Sequence, residues 1–324
     1  MTRSLFFVYA FRLNNRRRIA PDMRKELIKY EAFLIVASFI WGTSFVSVKI
    51  GVEHVDPFLF SILRFFFGSL VLIVVLVLLK RMNTRLFKDK IIWGIALINA
   101  VALEFQHLGM TMTSATNAVL LVDIDVVFVA LLATIVLSEK ITSKIMIGLL
   151  LGMVGVVIIT TNGDFSSVFS GSFIGNAMVF FGGVLWAFYV VYQKKVLVRE
   201  SDVLQVTGVV VFETTIFLLP MTLLFAGSYV VDSVGWLSVV YTGVLCTGLA
   251  FLLYNIGLKA ISATVSSIIL LLEIVFAMFF AFLVLGETPT VVTAMGGALI
   301  ILSIIVISLN GANGYRSNEA AKGS

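Results

Sequence analysis

Long apolar stretches separated by short polar connections fill this chain from about residue 31 to residue 309. A helix needs about 20 apolar residues to cross the hydrocarbon core of a bilayer. The runs are continuously apolar rather than alternating, which favours transmembrane helices over a β-barrel. The pattern predicts ten spans, at 31–50, 57–79, 91–111, 115–137, 145–161, 173–193, 203–226, 236–257, 263–285 and 291–309.

The second five predicted spans repeat the first five. Gly109 and the Ser-Ala-Thr sequence at 114–116 return 148 residues later as Gly257 and 262–264. Further matched pairs are Asp125 with Glu273, Glu139 with Glu287 and, at an offset of 145, Trp41 with Trp186 and Lys49 with Lys194. Because five is an odd number, the second copy has to cross the membrane in the opposite direction, as in transporters built from inverted repeats.

The prediction is therefore an all-α membrane protein of ten transmembrane helices, arranged as two inverted five-helix repeats around a central cavity. Its parts are a cytoplasmic N-terminal segment at 1–30, a first repeat at 31–162, a second repeat at 163–311 and a cytoplasmic tail at 312–324. The composition agrees, since 60% of the residues are hydrophobic and only 13% are charged. Soluble domains hold about a quarter charged residues.

Basic residues predict the orientation of the spans. All of the 23 Lys and Arg residues except Lys49 and Arg64 fall in segments expected on one side of the membrane. The opposite connections carry the acids Glu53, Asp56, Asp164, Asp232 and Glu287. By the positive-inside rule this predicts a multi-pass protein of the inner (cell) membrane with both termini cytoplasmic. The net charge of +5 then reflects orientation rather than affinity for nucleic acid.

Several classes of chemistry are not expected. Cys246 is the only cysteine, and with His54 and His107 it offers no metal-ligand spacing. The sequence lacks a phosphate-binding glycine loop and a nucleophile placed beside a base, so no cofactor, metal or enzymatic activity is predicted.

Carboxylates inside the spans give the main functional signal. The five are Glu104, Asp123, Asp125, Glu213 and Glu273, whereas Arg64 is the only cation well inside a span. Each ionised group at mid-bilayer costs roughly 2.5–3.5 kcal/mol on insertion scales. Since one arginine cannot neutralise five acids, some of them are expected to face a wet cavity, hold a proton or meet a cationic ligand group.

Asp125 and Glu273 are the most informative pair, because an inverted repeat would bring these matched mid-span positions together near the central axis. The pair predicts a proton or amine site, and hydrogen bonding to neighbouring helices is the alternative. Asp123 would lie about 200° around a regular helix from Asp125, so it is expected on another face.

Two interpretations are open for the Glu104–His107 pair and for Arg64. Glu104 and His107 are three residues apart and share a helix face. They form either a proton relay, with Asp125 and Glu273 as the other coupling candidates, or a local structural pair. Arg64 is expected as the structural ion-pair partner of a carboxylate, or as a partner of helix-end carbonyls, rather than as a substrate ligand.

Aromatic and small polar residues supply the candidate substrate site. The candidates are Trp41, Ser44, Asn117, Trp186, Tyr189, Tyr254 and Asn255. Each of them could instead pack or hydrogen-bond between helices. Gly148, Gly152, Gly155 and Gly296–Gly297 have helix-packing spacing, and they permit close contact either inside one protomer or in a homodimer.

Over residues 30–311 the chain resembles the drug/metabolite transporter superfamily, specifically its ten-span EamA-type members. The resemblance is carried by WGTSF (41–45), Arg64-Phe65, Trp186-Ala187 with Tyr189, VVFVALLATIVLSEKIT (126–142) and IVFAMFFAFLVLGETPT (274–290). It implies a basket of two inverted repeats, in which helices 1, 3, 4, 6, 8 and 9 surround a cavity. Family members often carry proline where this chain has Val126 and Ile274, so the helix bend expected from the family is predicted to be lost.

The predicted function is secondary active transport of small organic metabolites, with an amino acid or amine favoured. The resemblance implies export or exchange by alternating access. A channel or passive facilitator is the alternative, although an internal repeat favours a cavity within one protomer over a pore between subunits. The expected partners are a small-molecule solute and membrane lipid, with a proton as the candidate coupling ion and a homodimer left open.

Overall fold

The computed structural model describes residues 21–113, 121–166, 172–286 and 288–308, and within these ranges the regular structure is helical without strands. The ten helical elements are α1 Pro21–His54, α2 Pro57–Leu78, α3 Lys90–Met110, α4 Asp125–Val136, α5 Ser143–Thr161, α6 Phe173–Arg199, α7 Val203–Phe225, α8 Ser233–Ala260, α9 Ala263–Val284 and α10 Val291–Ser308. The predicted all-α class is confirmed.

Nine of the described helices, all except α4, are long and apolar enough to cross a membrane. The fourth predicted span, 115–137, is described only from residue 121, and α4 itself has 12 residues. Large apolar side chains point outward along the helices, as at Leu78 and Ile135, which are 74% and 78% exposed. Such a surface is stable against lipid rather than water.

Helix ends depend on capping rather than on the ends of the apolar runs. α1 begins at Pro21, so part of the predicted N-terminal segment is a helix continuous with the first span. α6 extends beyond the predicted end at 193 to Arg199. Apolarity marks only the part in the hydrocarbon, whereas a helix continues until its end groups are satisfied. Side chains that accept backbone N–H groups at helix starts are Asp56, Asp89, Thr142, Ser172, Asp202 and Asp232.

The fourth and ninth spans are interrupted just before their matched acids. Ile124 and Leu271 lie in turns, and each carbonyl accepts a hydrogen bond from the N–H three residues later, at 3.0 Å and 3.2 Å. Such bonds tighten the chain and break the regular α-helical ladder. Asp125 and Glu273 consequently stand in the first turn of a new helical segment.

Both interruptions occur although Val126 and Ile274 stand where family members often carry proline, and the loss of the bend stays a prediction. Close contacts from neighbouring helices accompany the interruptions. A Cβ added to Gly183 of α6 would lie 2.9 Å from the Val122 carbonyl oxygen, so only glycine permits this approach. Ser38 of α1 donates a long hydrogen bond of 3.5 Å to a carbonyl of α9. Tertiary contacts therefore support interruptions that the local sequence does not require.

Contacts between helix ends sort the connections onto two faces of the bundle. On one face the α1–α2 and α7–α8 connections meet, because Asp232 Oδ2 lies 2.6 Å from His54 Nδ1. On the other face the α2–α3 connection meets the start of α7, since Arg81 lies 2.8 Å from Asp202. We call these the acidic face and the basic face; the α6–α7 and α8–α9 connections belong to the basic face, where Lys259 Nζ donates to the Glu200 carbonyl at 2.7 Å.

Glycines bring α5 and α10 into backbone contact. A Cβ added to Gly155 would lie 2.7 Å from the Gly296 carbonyl oxygen, and one added to Gly296 would lie 2.7 Å from that of Gly155. A Cβ on Gly148 would lie 2.5 Å from Ile307. These small residues are therefore used inside one protomer, and the homodimer stays a prediction.

We expect Gly155→Ala to lower the thermal unfolding temperature of the detergent-purified protein, because overpacking of this kind costs about 1–3 kcal/mol. Gly94→Ala is the matched control, since a Cβ there meets nothing within 4 Å. Alanine is favoured over glycine in a helix by roughly 0.5–1 kcal/mol, so the control should keep or raise the unfolding temperature. Equal unfolding temperatures would contradict the close α5–α10 contact.

Candidate functional site

An aromatic group lies where α1, α6 and α8 meet. Phe251 is at its centre, with ring centroids 5.3 Å from Trp41, 6.1 Å from Trp186 and 6.5 Å from Tyr189. Trp186 stacks on Tyr189 at 4.7 Å, and Tyr254 lies 5.3 Å from Trp41. Four of these five rings are predicted site residues. Phe251 is not among them, although its place one turn before Tyr254 on the same helix is a signal that could have identified it.

Three buried or half-buried carboxylates lie within electrostatic range of one another, and two of them reach the aromatic group. Asp123, Asp125 and Glu273 are near enough to interact electrostatically, and Tyr254 is within the same range of Asp125 and Glu273. Asp123 and Asp125 are 6% and 8% exposed. The structure thus brings together the matched acids and the predicted aromatic residues. We call the five rings and three acids the central cluster.

Asp123 belongs to this cluster, whereas the sequence places it on a different face from Asp125. That expectation assumes a regular helix through both residues. The turn at Ile124 breaks the helix between them, and Asp123 lies within electrostatic range of Glu273 as well as Asp125.

The helix starts compensate the cluster's charge only in part. Asp125 and Glu273 stand in the first turns after one-residue interruptions, and even a complete helix N-terminus stabilises a carboxylate by only about 0.3–1 kcal/mol. That is less than the roughly 2.5–3.5 kcal/mol that a mid-bilayer charge costs. Among the described side chains no ion pair reaches the three carboxylates. The remaining cost has to be met by water, a proton or a cationic group.

Two hydroxyls of the central cluster are buried without a hydrogen-bond partner among the described atoms. Tyr189 and Tyr254 are fully buried, and neither phenolic oxygen is paired. An unpaired buried polar group costs about 1–3 kcal/mol. These two hydroxyls are therefore the polar atoms of the aromatic group that remain free to pair with a further group.

The other predicted substrate residues have local partners. Ser44 Oγ donates to the Trp41 carbonyl at 2.7 Å within α1. Asn255 Nδ2 donates to Thr207 Oγ1 of α7 at 2.9 Å, which is the interhelical bond expected as the alternative, while Asn255 Oδ1 has no partner among the described atoms. Asn117 lies outside the described residues.

His107 contacts α2 through a residue that was not predicted, because Ser61 Oγ lies 2.7 Å from His107 Nδ1. Glu104 is buried, and neither of its carboxylate oxygens has a hydrogen-bond partner among the described atoms. A lone serine in an apolar span carries no signal, so sequence reasoning missed Ser61. Glu213, the remaining embedded acid, is fully buried in α7, and neither carboxylate oxygen has a partner among the described atoms.

Arg64 donates from Nε to Thr247 Oγ1 at 2.9 Å, and the predicted ion pair is not found among the described residues. Thr247 lies in a π-helical turn of α8, Thr242–Leu249. In the same turn the Cys246 carbonyl accepts a hydrogen bond of 2.8 Å from Trp41 Nε1. Turns of this kind are frequent at functional sites, and here the turn provides polar partners for α1 and α2.

A surface depression of about 420 Å³ lies on the acidic face, lined by Val52, Glu53, His54, Val55, Asp56, Ser228, Val230 and Asp232. No member of the central cluster lines this depression. Within the depression, the imidazole of His54 pairs with the carboxylate of Asp232. The depression is therefore separate from the central cluster.

A bundle of apolar, membrane-length helices around a buried cluster of acids and aromatic rings defines a multi-pass membrane transporter. The sequence profile of the EamA-like transporter family matches residues 28–161 and 173–309, so the chain belongs to this family. The chain is accordingly a transporter rather than an enzyme, and the resemblance to the drug/metabolite transporter superfamily is confirmed.

Relatives with the same family character extend over most of the chain. An uncharacterized transporter of Archaeoglobus fulgidus is 28% identical over 280 residues, which cover 85% of this chain and 96% of that protein. The uncharacterized transporter YoaV of Bacillus subtilis is 25% identical over 288 residues, covering 86% of this chain and 97% of that protein. The uncharacterized transporter YetK of Bacillus subtilis is 29% identical over 318 residues, covering 91% and 93%.

A solved crystal structure of a protein shares the fold. It superimposes with a TM-score of 0.76 at 20% sequence identity, over 87% of this chain and 97% of that chain. The helical architecture is thus known from experiment in a distant protein.

We expect Tyr189→Phe and Tyr254→Phe to keep or raise the unfolding temperature, because each change removes a buried hydroxyl without a described partner. Tyr241→Phe is the control, since its hydroxyl lies 2.6 Å from Thr43 Oγ1 and its loss should cost about 1 kcal/mol. Thermal unfolding in detergent measures all three. A larger loss of stability for Tyr189→Phe than for Tyr241→Phe would show that the Tyr189 hydroxyl has a structural partner.

Proposed function

We propose that this protein is a secondary active transporter that exports or exchanges small organic solutes with an ammonium group, amines or amino acids, by alternating access. One observation carries the proposal. Three embedded carboxylates lie within electrostatic range of one another, two of them also of Tyr254 in the aromatic group, and no ion pair reaches them among the described side chains. A cationic solute supplies the missing charge.

The chemistry of the central cluster suits such a solute. Aromatic faces attract cations by about 0.5–2 kcal/mol, more when the cation is desolvated. The unpaired hydroxyl oxygens of Tyr189 and Tyr254 can accept hydrogen bonds from ammonium N–H groups. Asp125 and Glu273 supply negative charge in the middle of their spans. A cationic solute that has left water needs such a counter-ion there.

Helix packing supports two inverted repeats around this site. α5 packs against α10, α2 against α7, α3 against α6 and α1 against α8. Exchanging each helix of the first repeat for its counterpart in the second leaves the α5–α10 and α2–α7 pairs unchanged. The same exchange turns the α3–α6 pair into the α8–α1 pair. The family profile also matches the chain twice, close to the predicted repeats 31–162 and 163–311. A site between two such repeats becomes accessible from either side by relative movement of the halves.

A proton is the proposed coupling ion. Asp125 and Glu273 would bind either a proton or the ammonium group of the solute, because both of these ligands neutralise the same buried carboxylates. Binding of one would then release the other. Glu104 and His107, one helical turn apart on α3, form the second candidate for proton movement, with Ser61 hydrogen-bonded to His107. The basic face would lie on the cytoplasmic side of the inner membrane. Both termini would then be cytoplasmic, as the positive-inside rule requires.

We expect the double variant Asp125→Asn/Glu273→Gln to lose solute uptake into proteoliposomes and its dependence on pH, because neither position can then take up or release a proton. Glu53→Gln changes an exposed acid on the acidic face and should leave both properties unchanged. Saturable flux with counterflow supports a carrier, whereas conductance events would support a channel. Intact pH-dependent transport by the double variant would exclude these acids as the coupling site.

Ligand screening tests the solute class. Amino acids, polyamines and quaternary amines at about 100 times their dissociation constant should raise the stability of the purified protein by about 2.7 kcal/mol. Uncharged analogues of the same size should have little effect. The Asp125→Asn/Glu273→Gln variant should lose the stabilisation by amines. Stabilisation only by anionic or neutral compounds would overturn the proposed solute class.

A further inference from the structure

A buried lysine caps the end of α8 at the basic face. Lys194 of α6 is 2% exposed, and its Nζ donates to the carbonyl oxygens of Leu258, Lys259 and Ile261 at 2.6, 2.9 and 2.7 Å. These carbonyls terminate α8, where a positive charge is favoured by the helix dipole and by the unsatisfied carbonyl groups. All three donors of the ammonium group are thereby used on one helix end.

A buried glutamate caps the start of α9, directly across the connection. Glu139, which follows α4, is 6% exposed. Its Oε1 accepts the N–H of Ala263 at 2.6 Å, and its Oε2 accepts the N–H and hydroxyl of Thr264 at 3.2 and 2.9 Å. Opposite charges from two other parts of the chain therefore hold the α8–α9 connection from both sides, and they attract each other as well.

A set of unpaired polar atoms, which we call the polar layer, lies within about two helical turns of Lys194 or of this connection along the chain. Both amide atoms of Gln193, Oδ1 of Asn255 and the hydroxyls of Ser266 and Ser267 are buried without a partner among the described atoms. Gln193 lies one turn along α6 from Tyr189, so the layer leads toward the central cluster. Polar atoms cost about 1–3 kcal/mol each when dry, so the layer suits a route that fills with water when the connection moves.

We propose that Lys194 and Glu139 form a gate that closes the route from the central cluster to the basic face, with the α8–α9 connection as the moving part. Opening replaces the carbonyl and N–H partners of the two charged groups by water at the membrane surface. The same movement hydrates the polar layer. The purpose of the gate rests on the proposed transport function, but its geometry does not.

Cysteine labelling tests the gate without any solute. Because Cys246 is the chain's only cysteine, Cys246→Ala gives a cysteine-free background, to which Ser266→Cys adds a probe in the polar layer. A membrane-impermeant maleimide is applied from the basic face in proteoliposomes. Lys194→Met and Glu139→Gln should each raise the labelling rate roughly tenfold, which corresponds to a loss of about 1.4 kcal/mol from the closed state. Lys195→Met removes a neighbouring, exposed charge and should not change the rate.

A second probe separates a gate from general loosening. Ser44→Cys, in the same background, lies between Trp41 and the acidic face and is labelled from that face. If Lys194 and Glu139 form a gate, the labelling rate of Ser44→Cys falls in the variants in which the labelling rate of Ser266→Cys rises. A general loosening of the helix bundle raises both rates.

Unchanged labelling of Ser266→Cys in folded Lys194→Met and Glu139→Gln proteins, or a rise at both probes, would overturn the proposal. If Lys194→Met does not fold, Glu139→Gln carries the test alone. A gate without amine transport would leave this inference standing and reject the proposed function.

Discussion

A carboxylate that leaves water for an apolar helix bundle has to find hydrogen-bond donors, a cation or a proton, and helix ends are the main source of such partners here. Asp125 and Glu273 stand in the first turns that follow interruptions of the fourth and ninth spans. Glu139 and Lys194 occupy the two helix ends at the α8–α9 connection. Embedded charge and broken helices are thus parts of one arrangement, since each makes the other stable.

Irregular backbone is confined to places where side chains can use it. Within the described residues it comprises the turns at Ile124 and Leu271 and the π-helical segments Thr242–Leu249 and Ala281–Leu285. Non-helical backbone at membrane depth is tolerated only inside protein or beside water, because lipid cannot satisfy its polar groups. The freed groups here meet Trp41 at the π-helical turn of α8 and Gly183 of α6 near the turn at Ile124. These two irregular segments therefore lie against other helices.

The aromatic rings of the central cluster are closely packed, and the polar layer is buried. Rings pack at centroid distances of 4.7–6.5 Å, and both tyrosines are fully buried. A cluster that holds both negative charge and unpaired hydroxyls is not an optimal core, because an apolar filling of the same volume would be more stable. Retaining such groups is understandable if a solute binds there for part of the transport cycle, which links the energetic cost directly to the proposed function.

The sequence by itself determined the helical class and the family, and it predicted Asp125, Glu273 and four of the five rings as members of one site. Apolar runs were sufficient for the helical class, because lipid requires every spanning segment to be helical, and the ordered motifs were sufficient for the family. Helix ends beyond the apolar runs, such as Arg199, depended on capping. Only the tertiary structure decided that Asp123 joins Asp125, that Phe251 is central, and that Lys194 and Glu139 hold a helix connection. Those features arise from contacts between helices far apart in the chain, and the spacing of residues along one helix carries no information about them.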